Sequence, residues 1–181
     1  MRRTIFILIA VMAMLSASVW ANGGQEVIPE KDSDGYLSVS ADDMQVRWMV
    51  EGENLSFEVD APTTGWIAVG FDPTRVMKDA NFVIGYVQGN SVVVKDQFGN
   101  GTFSHKGDTE LGGSDDIIES AGSEQAGRTT IKFTIPIDSG DEYDTVLTPG
   151  ELHTVLIAYG PNGADNFTTK HAMRTKVSVK L

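Results

Sequence analysis

The sequence predicts an all-β protein, an immunoglobulin-like sandwich of two antiparallel sheets with roughly nine to ten strands. Short apolar runs alternate with polar residues, turns rich in Gly, Asn and Asp separate them, and no stretch shows the period of an amphipathic helix. Strands spaced in this way are typical of β-sandwiches. The predicted strands are 36–40, 45–50, 55–59, 65–71, 81–87, 91–96, 116–120, 128–135, 153–159 and 176–181.

The chain of 181 residues divides into three predicted segments. Residues 1–21 combine a short basic start, an apolar run and small residues before Asn22, which is the pattern of a secretory signal peptide. The apolar run is shorter than the about 20 residues of a membrane-spanning helix, so we expect no membrane span. Residues 22–35 are polar and are predicted to be a flexible N-terminal segment, and residues 36–181 form the sandwich domain. We therefore expect an exported protein, either periplasmic or secreted.

The longest predicted loop covers residues 98–113. Five of its residues are glycines, and it separates two predicted strands. Long loops in compact domains are often binding loops or mobile lids, and this segment is long for a connection.

The composition excludes several kinds of chemistry. The chain has no Cys, which removes disulfides, thiolate catalysis, Cys-based zinc sites and the covalent attachment of c-type haem. Stability must come from a buried core or from a ligand bound in the native state. With 25 acidic and 14 basic residues the net charge is −11, so the surface should repel nucleic acid and would favour a basic partner. Neither a nucleophile elbow nor a phosphate-binding Gly-Lys loop is present, and we expect no self-contained catalytic site.

The most informative stretch of the sequence covers residues 65–87. Its first strand carries Ala68 and Gly70 at alternate positions, and small residues inside a strand often mark the close approach of another group. Met77 follows in a polar loop. A methionine there is a poor core residue but a possible soft ligand, although flexible Met side chains more commonly fill gaps.

The three histidines form no local metal motif, because His105, His153 and His171 are far apart in the sequence. His153 opens an apolar strand and is interpreted as an ordinary polar residue at its edge. His105 lies in the glycine-rich loop, and His171 lies between a turn-rich segment and the last strand. Taken alone, each is interpreted as a structural residue.

The stretch that contains Met77 resembles the signature of the DOMON domain family. Residues 65–71 (GWIAVGF) and 77–86 (MKDANFVIGY) combine Gly-Trp, Ala-x-Gly-Phe and Met-x-x-Ala at fitting spacing. The strand 129–136, the segment 152–160 and the late His171 follow in the order that the family shows. The resemblance covers most of the chain from residue 36 onward.

The resemblance implies a β-sandwich that, in the cytochrome members of the family, holds one non-covalent haem b. The iron of those members is bound by a Met after the Gly-Trp strand and by a His near the C-terminal end, which correspond to Met77 and His171. Rival sulfur donors are Met44, Met49 and Met173. The predicted cofactor site comprises the iron ligands Met77 and His171, the pocket residues Trp66, Ala68, Gly70 and Phe82, and the propionate partners Lys170 and Arg174.

Two functions remain open. The first is an exported b-type cytochrome domain that exchanges electrons with a redox partner protein or dehydrogenase, since Met and His close the coordination of the iron. The second is a DOMON module that binds a carbohydrate or another small ligand without haem, with Trp48, Trp66 and Tyr86 as aromatic faces. A structural or adhesion domain is a weaker third possibility.

Overall fold

The computed structural model describes residues 25–181, so the predicted signal peptide of residues 1–21 lies outside the described residues. The chain forms two sheets, which confirms the predicted all-β sandwich. The elements are β1 Gln25–Val27, β2 Glu30–Lys31, β3 Leu37–Ala41, β4 Met44–Glu51, β5 Asn54–Ala61, β6 Ile67–Phe71, β7 Asn81–Gln88, β8 Ser91–Gly101, β9 Ser104–Gly107, α1 Asp108–Leu111, β10 Glu119–Gln125, β11 Arg128–Pro136, β12 Leu152–Tyr159 and β13 Met173–Lys180.

The two sheets have seven and six strands. The order is β1-β13-β12-β6-β7-β8-β9 in the larger sheet and β10-β11-β5-β4-β3-β2 in the smaller one. Neighbouring strands are antiparallel except for the pair of β1 and β13, which is parallel. β6 lies at the centre of the larger sheet between β12 and β7, and all five of its residues are buried, so both of its faces are covered.

The core fills the space between the inner faces of the two sheets. Along β5 every second residue is buried, which is the two-residue period of a strand with one face in the core. Phe57 of β5 stacks on Phe133 with ring centroids 5.1 Å apart, and it also contacts Phe71 of the opposite sheet at 5.3 Å. This aromatic group joins the two sheets directly.

Residues 25–181 form thirteen strands instead of the predicted nine or ten. Among the additional strands, β1 pairs with β13 and β2 pairs with β3, within the segment 22–35 that was predicted to be flexible. Segments of two or three residues carry no readable period, so only their hydrogen bonds to a neighbouring strand define them.

The prediction of a loop over residues 98–113 is wrong. β8 continues to Gly101 and forms a hairpin with β9, with a shift in register between Phe98 and Gly101, and α1 follows. The glycines that suggested a loop instead accompany this irregular hairpin. Within residues 25–181, no helix has the length and apolar character needed to cross a membrane.

β10 is the edge strand of the smaller sheet, and all seven of its residues are exposed. Its backbone packs against the other sheet at Gly122, where an added Cβ would lie 2.7 Å from Val92 and 2.9 Å from Val87. The prediction placed this strand at 116–120, several residues too early, because a fully exposed strand gives no alternating apolar signal.

Phe57→Ala should lower the free energy of unfolding by about 3–5 kcal/mol, because the substitution leaves a cavity where the two sheets meet. Urea unfolding followed by tryptophan fluorescence measures the loss. Lys132→Ala is the matched control on the adjacent strand, since it removes only the ion pair of the exposed Lys132 with the half-buried Glu58 and should cost about 1 kcal/mol. An equal loss in the two variants would contradict the role of Phe57 as a contact between the sheets.

Candidate functional site

The candidate site lies on the outer face of the larger sheet, defined here as the face of β6, β7 and β12 that points away from the smaller sheet. Ile67, Val69 and Phe71 of β6 belong to the main core. Ala68 belongs instead to a second apolar cluster together with Trp66, Ile84 and Ala164, and Tyr86, Ala158 and Phe167 pack against it. β6 is therefore covered by the core on one face and by the loop of residues 160–172 on the other.

Trp66 holds this C-terminal loop against the sheet. Its indole Nε1 donates a hydrogen bond to the carbonyl of Thr169 at 3.0 Å, and its backbone N–H donates to Ala164 at 3.2 Å. The backbone N–H of Gly160 donates to the carbonyl of Trp66 at 2.8 Å, and a Cβ at Gly160 would overlap the indole ring. The Gly-Trp element of the family signature thus fixes the segment that leads to His171.

His171 lies at the end of this loop, two residues before β13, and is half-buried. Burial lowers the pKa of its imidazole, and the charges of Arg174 and Lys170 lower it further. The ring is therefore neutral at pH 7, which is the form that binds a metal ion. Both cations are exposed, and Arg174 pairs across the sheet with Ala158, the residue opposite Ala68.

Met77 lies at the other end of β6, in the loop of residues 72–80, and is half-buried. Val76 has φ of 58° and Asp79 has φ of 64°, and the first value is unusual for a β-branched residue. The backbone N–H of Asp79 donates to the carbonyl of Gly99 at 2.7 Å, and the backbone N–H of Gly99 donates to the carbonyl of Ala80 at 2.8 Å. A Cβ at Gly99 would overlap the carbonyl of Met77, so the loop is pressed onto β8 in one conformation. A strained backbone held by its surroundings is a frequent property of functional loops.

Met77 and His171 lie in loops at opposite ends of β6. The loop of Met77 follows Phe71, whereas the loop of His171 joins β12 and β13 beside Ile67. Because a strand rises about 3.3 Å per residue, the two ends of β6 are roughly 13 Å apart. The fold thus places the loops that carry the two predicted ligands beyond opposite ends of the strand that contains Ala68 and Gly70.

Phe82 occupies the space above Gly70. The two residues are direct cross-strand partners, and a Cβ at Gly70 would overlap the Phe82 ring, which is itself only 8% exposed. The small residue at position 70 therefore accommodates an aromatic ring of the protein. A thioether and a neutral imidazole suit haem iron, but a haem on this face requires the Phe82 ring to rotate away from Gly70.

His105 is a further residue at the rim of this face that the sequence did not assign to the site. It is half-buried on β9, its ring centroid lies 6.0 Å from that of Phe82, and its Nδ1 contacts Oε1 of Gln97. Burial lowers its pKa. Because residues 98–113 were predicted to form a loop, nothing in the sequence placed His105 beside Phe82.

His153 is buried, at 4% exposure, instead of lying at a strand edge as the sequence suggested. Its Nδ1 lies 2.6 Å from Oδ2 of Asp72, and its Nε2 lies 3.2 Å from the carbonyl of Thr148. The hydrogen bond to Asp72 raises the pKa of His153 although burial opposes it. Asp72 also accepts a hydrogen bond from Thr154 at 2.7 Å, so this pair fastens the start of the Met77 loop to β12.

The rival sulfur donors and one of the proposed sugar-binding aromatics lie elsewhere. Met44 and Trp48 are fully buried in the main core, and Met173 packs against that core. Met49 is half-buried on β4, in the smaller sheet, with Gly35 nearby. Trp48 therefore cannot offer a face to a sugar, which corrects that part of the sequence interpretation.

These features define a β-sandwich domain with one loop fixed over the outer face of its larger sheet and a second loop fixed against β8 at the other end of β6. Residues 40–160 match the profile of the DOMON domain, which covers more than half of the chain, and the protein belongs to the DOMON domain family.

Curated relatives share this part of the sequence. The chain is 29% identical over 128 residues to DBH-like monooxygenase protein 2 of Mus musculus, which covers 70% of this chain and 20% of the relative. It is 25% identical over 120 residues to MOXD1 homolog 2 of Drosophila melanogaster, and the match covers 65% of this chain and 15% of that relative. The chain thus spans a fifth or less of the length of these relatives.

Two solved structures share the fold. The cytochrome b domain of pyranose dehydrogenase from Coprinopsis cinerea has a TM-score of 0.59 and 11% identity, covering 80% of this chain and 81% of that domain. The cytochrome domain of Myriococcum thermophilum cellobiose dehydrogenase has a TM-score of 0.55 and 8% identity, and the match covers 84% of this chain and 87% of that domain. At such low identity the likeness establishes the sandwich fold alone.

Gly70→Ala should destabilise the domain by about 1–3 kcal/mol, because the new Cβ overlaps the Phe82 ring. In a Phe82→Ala background the same substitution should cost much less, since the obstructing ring is gone. A double-mutant cycle from urea unfolding measures the coupling, expected at about 0.5–3 kcal/mol. Additive effects would contradict the packing of Phe82 on Gly70.

The His153–Asp72 pair should make stability depend on pH. The folded-state pKa of His153 is raised above its unfolded value of about 6.5, so its contribution is fully present below about pH 6.5 and is lost as pH rises through the folded pKa. Asp72 and Glu151 are the charged groups that act on the ring. Between pH 6 and 9, the stability difference between wild type and His153→Gln should shrink, as measured by urea unfolding. A difference that stays constant over this range would contradict the charged pair.

Proposed function

We propose that this domain binds one haem b on its outer face, between Met77 and His171, and acts in electron transfer. One observation carries the proposal: a thioether and a neutral imidazole lie on tethered loops at the two ends of β6, the strand whose Ala68 belongs to the outer-face cluster. Membership of the DOMON family and a fold shared with two cytochrome domains of dehydrogenases support it.

Each residue around the proposed haem has a role in this proposal. Met77 and His171 would hold the iron, and the absence of Cys means that the group would be held without a covalent link. Arg174, in register with Ala158 and Ala68, would approach the propionates together with Lys170. Trp66 fixes the loop that carries the imidazole, and Phe82 would turn from Gly70 to border the group. When bound, haem supplies one-electron exchange.

The proposed partner is a redox protein or dehydrogenase. The net charge of −11 favours a partner with a basic docking surface, because long-range attraction speeds the encounter of oppositely charged proteins. Export to the periplasm or out of the cell is part of the same proposal.

Haem titration of the purified protein tests this function. Wild type should bind one equivalent and give sharp six-coordinate absorption spectra in the oxidised and reduced states. Met77→Leu and His171→Gln should each disturb the spectra, because each removes one axial donor. Met49→Leu is the matched control on the smaller sheet and should leave them unchanged, and His105→Gln, beside Phe82, should disturb them less than His171→Gln.

Two results would overturn the proposed ligation. If the wild-type protein gives only the spectrum of free haem, this face does not bind the group. If His105→Gln disturbs the spectra and His171→Gln does not, the imidazole donor is on β9 instead of before β13.

A haem-free ligand-binding module is the second candidate. The rings of Tyr86 and Phe167 lie 4.9 Å apart on the outer face, and Nζ of Lys95 lies 5.3 Å from the centre of the Phe167 ring. Half-buried aromatic rings beside a cation can stack on a sugar. Calorimetry of haem-free protein with oligosaccharides should then give saturable heat that Phe167→Ala abolishes, and a flat response would reject this candidate.

A further inference from the structure

A second cluster of polar residues lies between the two sheets, apart from the outer face. It consists of Asp96 on β8, Asp116 between α1 and β10, and Asp144 between β11 and β12. One carboxylate oxygen of each lies within 4.8 Å of the others. The three residues come from separate segments, so the tertiary fold brings them together.

Asn81 adds an uncharged oxygen to the same place. Its side chain is 4% exposed, its Nδ2 donates to Oδ1 of Asp144 at 2.6 Å, and its Oδ1 has no hydrogen-bond partner. Asp96 is 6% exposed and accepts from the backbone of Asp116 with Oδ2, while its Oδ1 also has no partner. Both residues line one cavity with Asp116 and Asp144. Unpaired buried acceptors are costly, which indicates that a positively charged group belongs between them.

The charges of the cluster are uncompensated by the protein. Among residues 25–181, the ion pairs formed by Lys, Arg and His involve none of the three carboxylates. Burial raises the pKa of Asp96 to about 7 and, with neighbouring acids, that of Asp144 to about 6. Asp115 and Asp141 add further negative charge. Like charges at this separation disfavour ionisation unless a cation binds.

We propose that Asp96, Asp116, Asp144 and Asn81 form a binding site for one calcium ion. All four offer oxygen, which is the donor that hard cations prefer, and the cluster contains no nitrogen or sulfur ligand of the kind that zinc selects. The cavity of about 10 Å³ has about the space that one water molecule or one ion needs, and it is also lined by Ser139 and Thr145. Because Ca²⁺ takes six to eight oxygens, water would complete its coordination.

The proposed ion would cross-link the sandwich. Asn81 and Asp96 belong to the larger sheet, whereas Asp144 follows β11 of the smaller one, and Ile135 and Pro136 of β11 line the same cavity. An ion bound only in the native state stabilises that state by mass action. This inference is independent of the proposed haem function, because the cluster and the outer face share no residue.

Calorimetric titration of CaCl₂ into EDTA-treated protein tests the site. Wild type should bind one ion and show a higher Tm with calcium. Asp116→Asn should weaken binding at least about tenfold, since losing a direct ligand should cost no less than losing an outer partner. Asp115→Asn is the matched control, because it removes the same charge from an exposed neighbour. No binding by wild type, or equal losses in the two variants, would overturn the proposal.

Terbium luminescence locates the ion even if Asp116→Asn folds poorly. Tyr143 precedes Asp144 and packs on Phe98, with centroids 5.2 Å apart, so it can sensitise Tb³⁺ held in the cluster. Tyr143→Phe should remove most of the sensitised emission while leaving calcium affinity within about twofold, and calcium should displace Tb³⁺. Emission that Tyr143→Phe leaves unchanged would place the ion elsewhere. Met77→Leu should bind calcium like wild type, so a failure of haem binding leaves this result intact.

Discussion

The burial of β6 on both faces is the constraint on which the rest of the structure depends. Its large side chains fill the space between the sheets, and its small ones lie under Phe82 and the loop of residues 160–172. A strand that is buried on both faces does not favour a charged or ligating side chain, because burying such a group without a partner is costly in free energy. The candidate ligands Met77 and His171 accordingly lie in the loops beyond the two ends of the strand. The Gly-Trp element is best understood as the fastening of one of these ends.

The outer face and the acidic cluster are adjacent in the chain although they lie on opposite sides of a sheet. Successive residues of a strand point in opposite directions, so Asn81 reaches into the cluster while Phe82 covers Gly70. The first two residues of β7 thus belong to different sites. Phe82 is bonded directly to Asn81, which lines the inter-sheet cavity.

The sequence predicted the fold well where one face of a strand is buried and the other faces solvent, as in β4, β5 and β11. It failed where that contrast is missing: β10 is exposed throughout, and β1 and β2 are too short. The family signature directed attention to Met77 and His171. It could not reveal that Phe82 lies on Gly70, because cross-strand register is invisible in the sequence. For the same reason it gave no sign that Asp96, Asp116 and Asp144 converge.

The composition of β10 affects whether copies of the domain associate through their sheet edges at high protein concentration. Edge strands with unpaired backbone groups are templates for the growth of a continuous sheet across molecules. β10 carries Glu119 and Glu124 and has no large apolar side chain, so a second copy arriving at this edge would meet like charge and little surface to bury. The charge and composition of β10 thereby protect this edge of the sandwich from polymerisation without a covering segment.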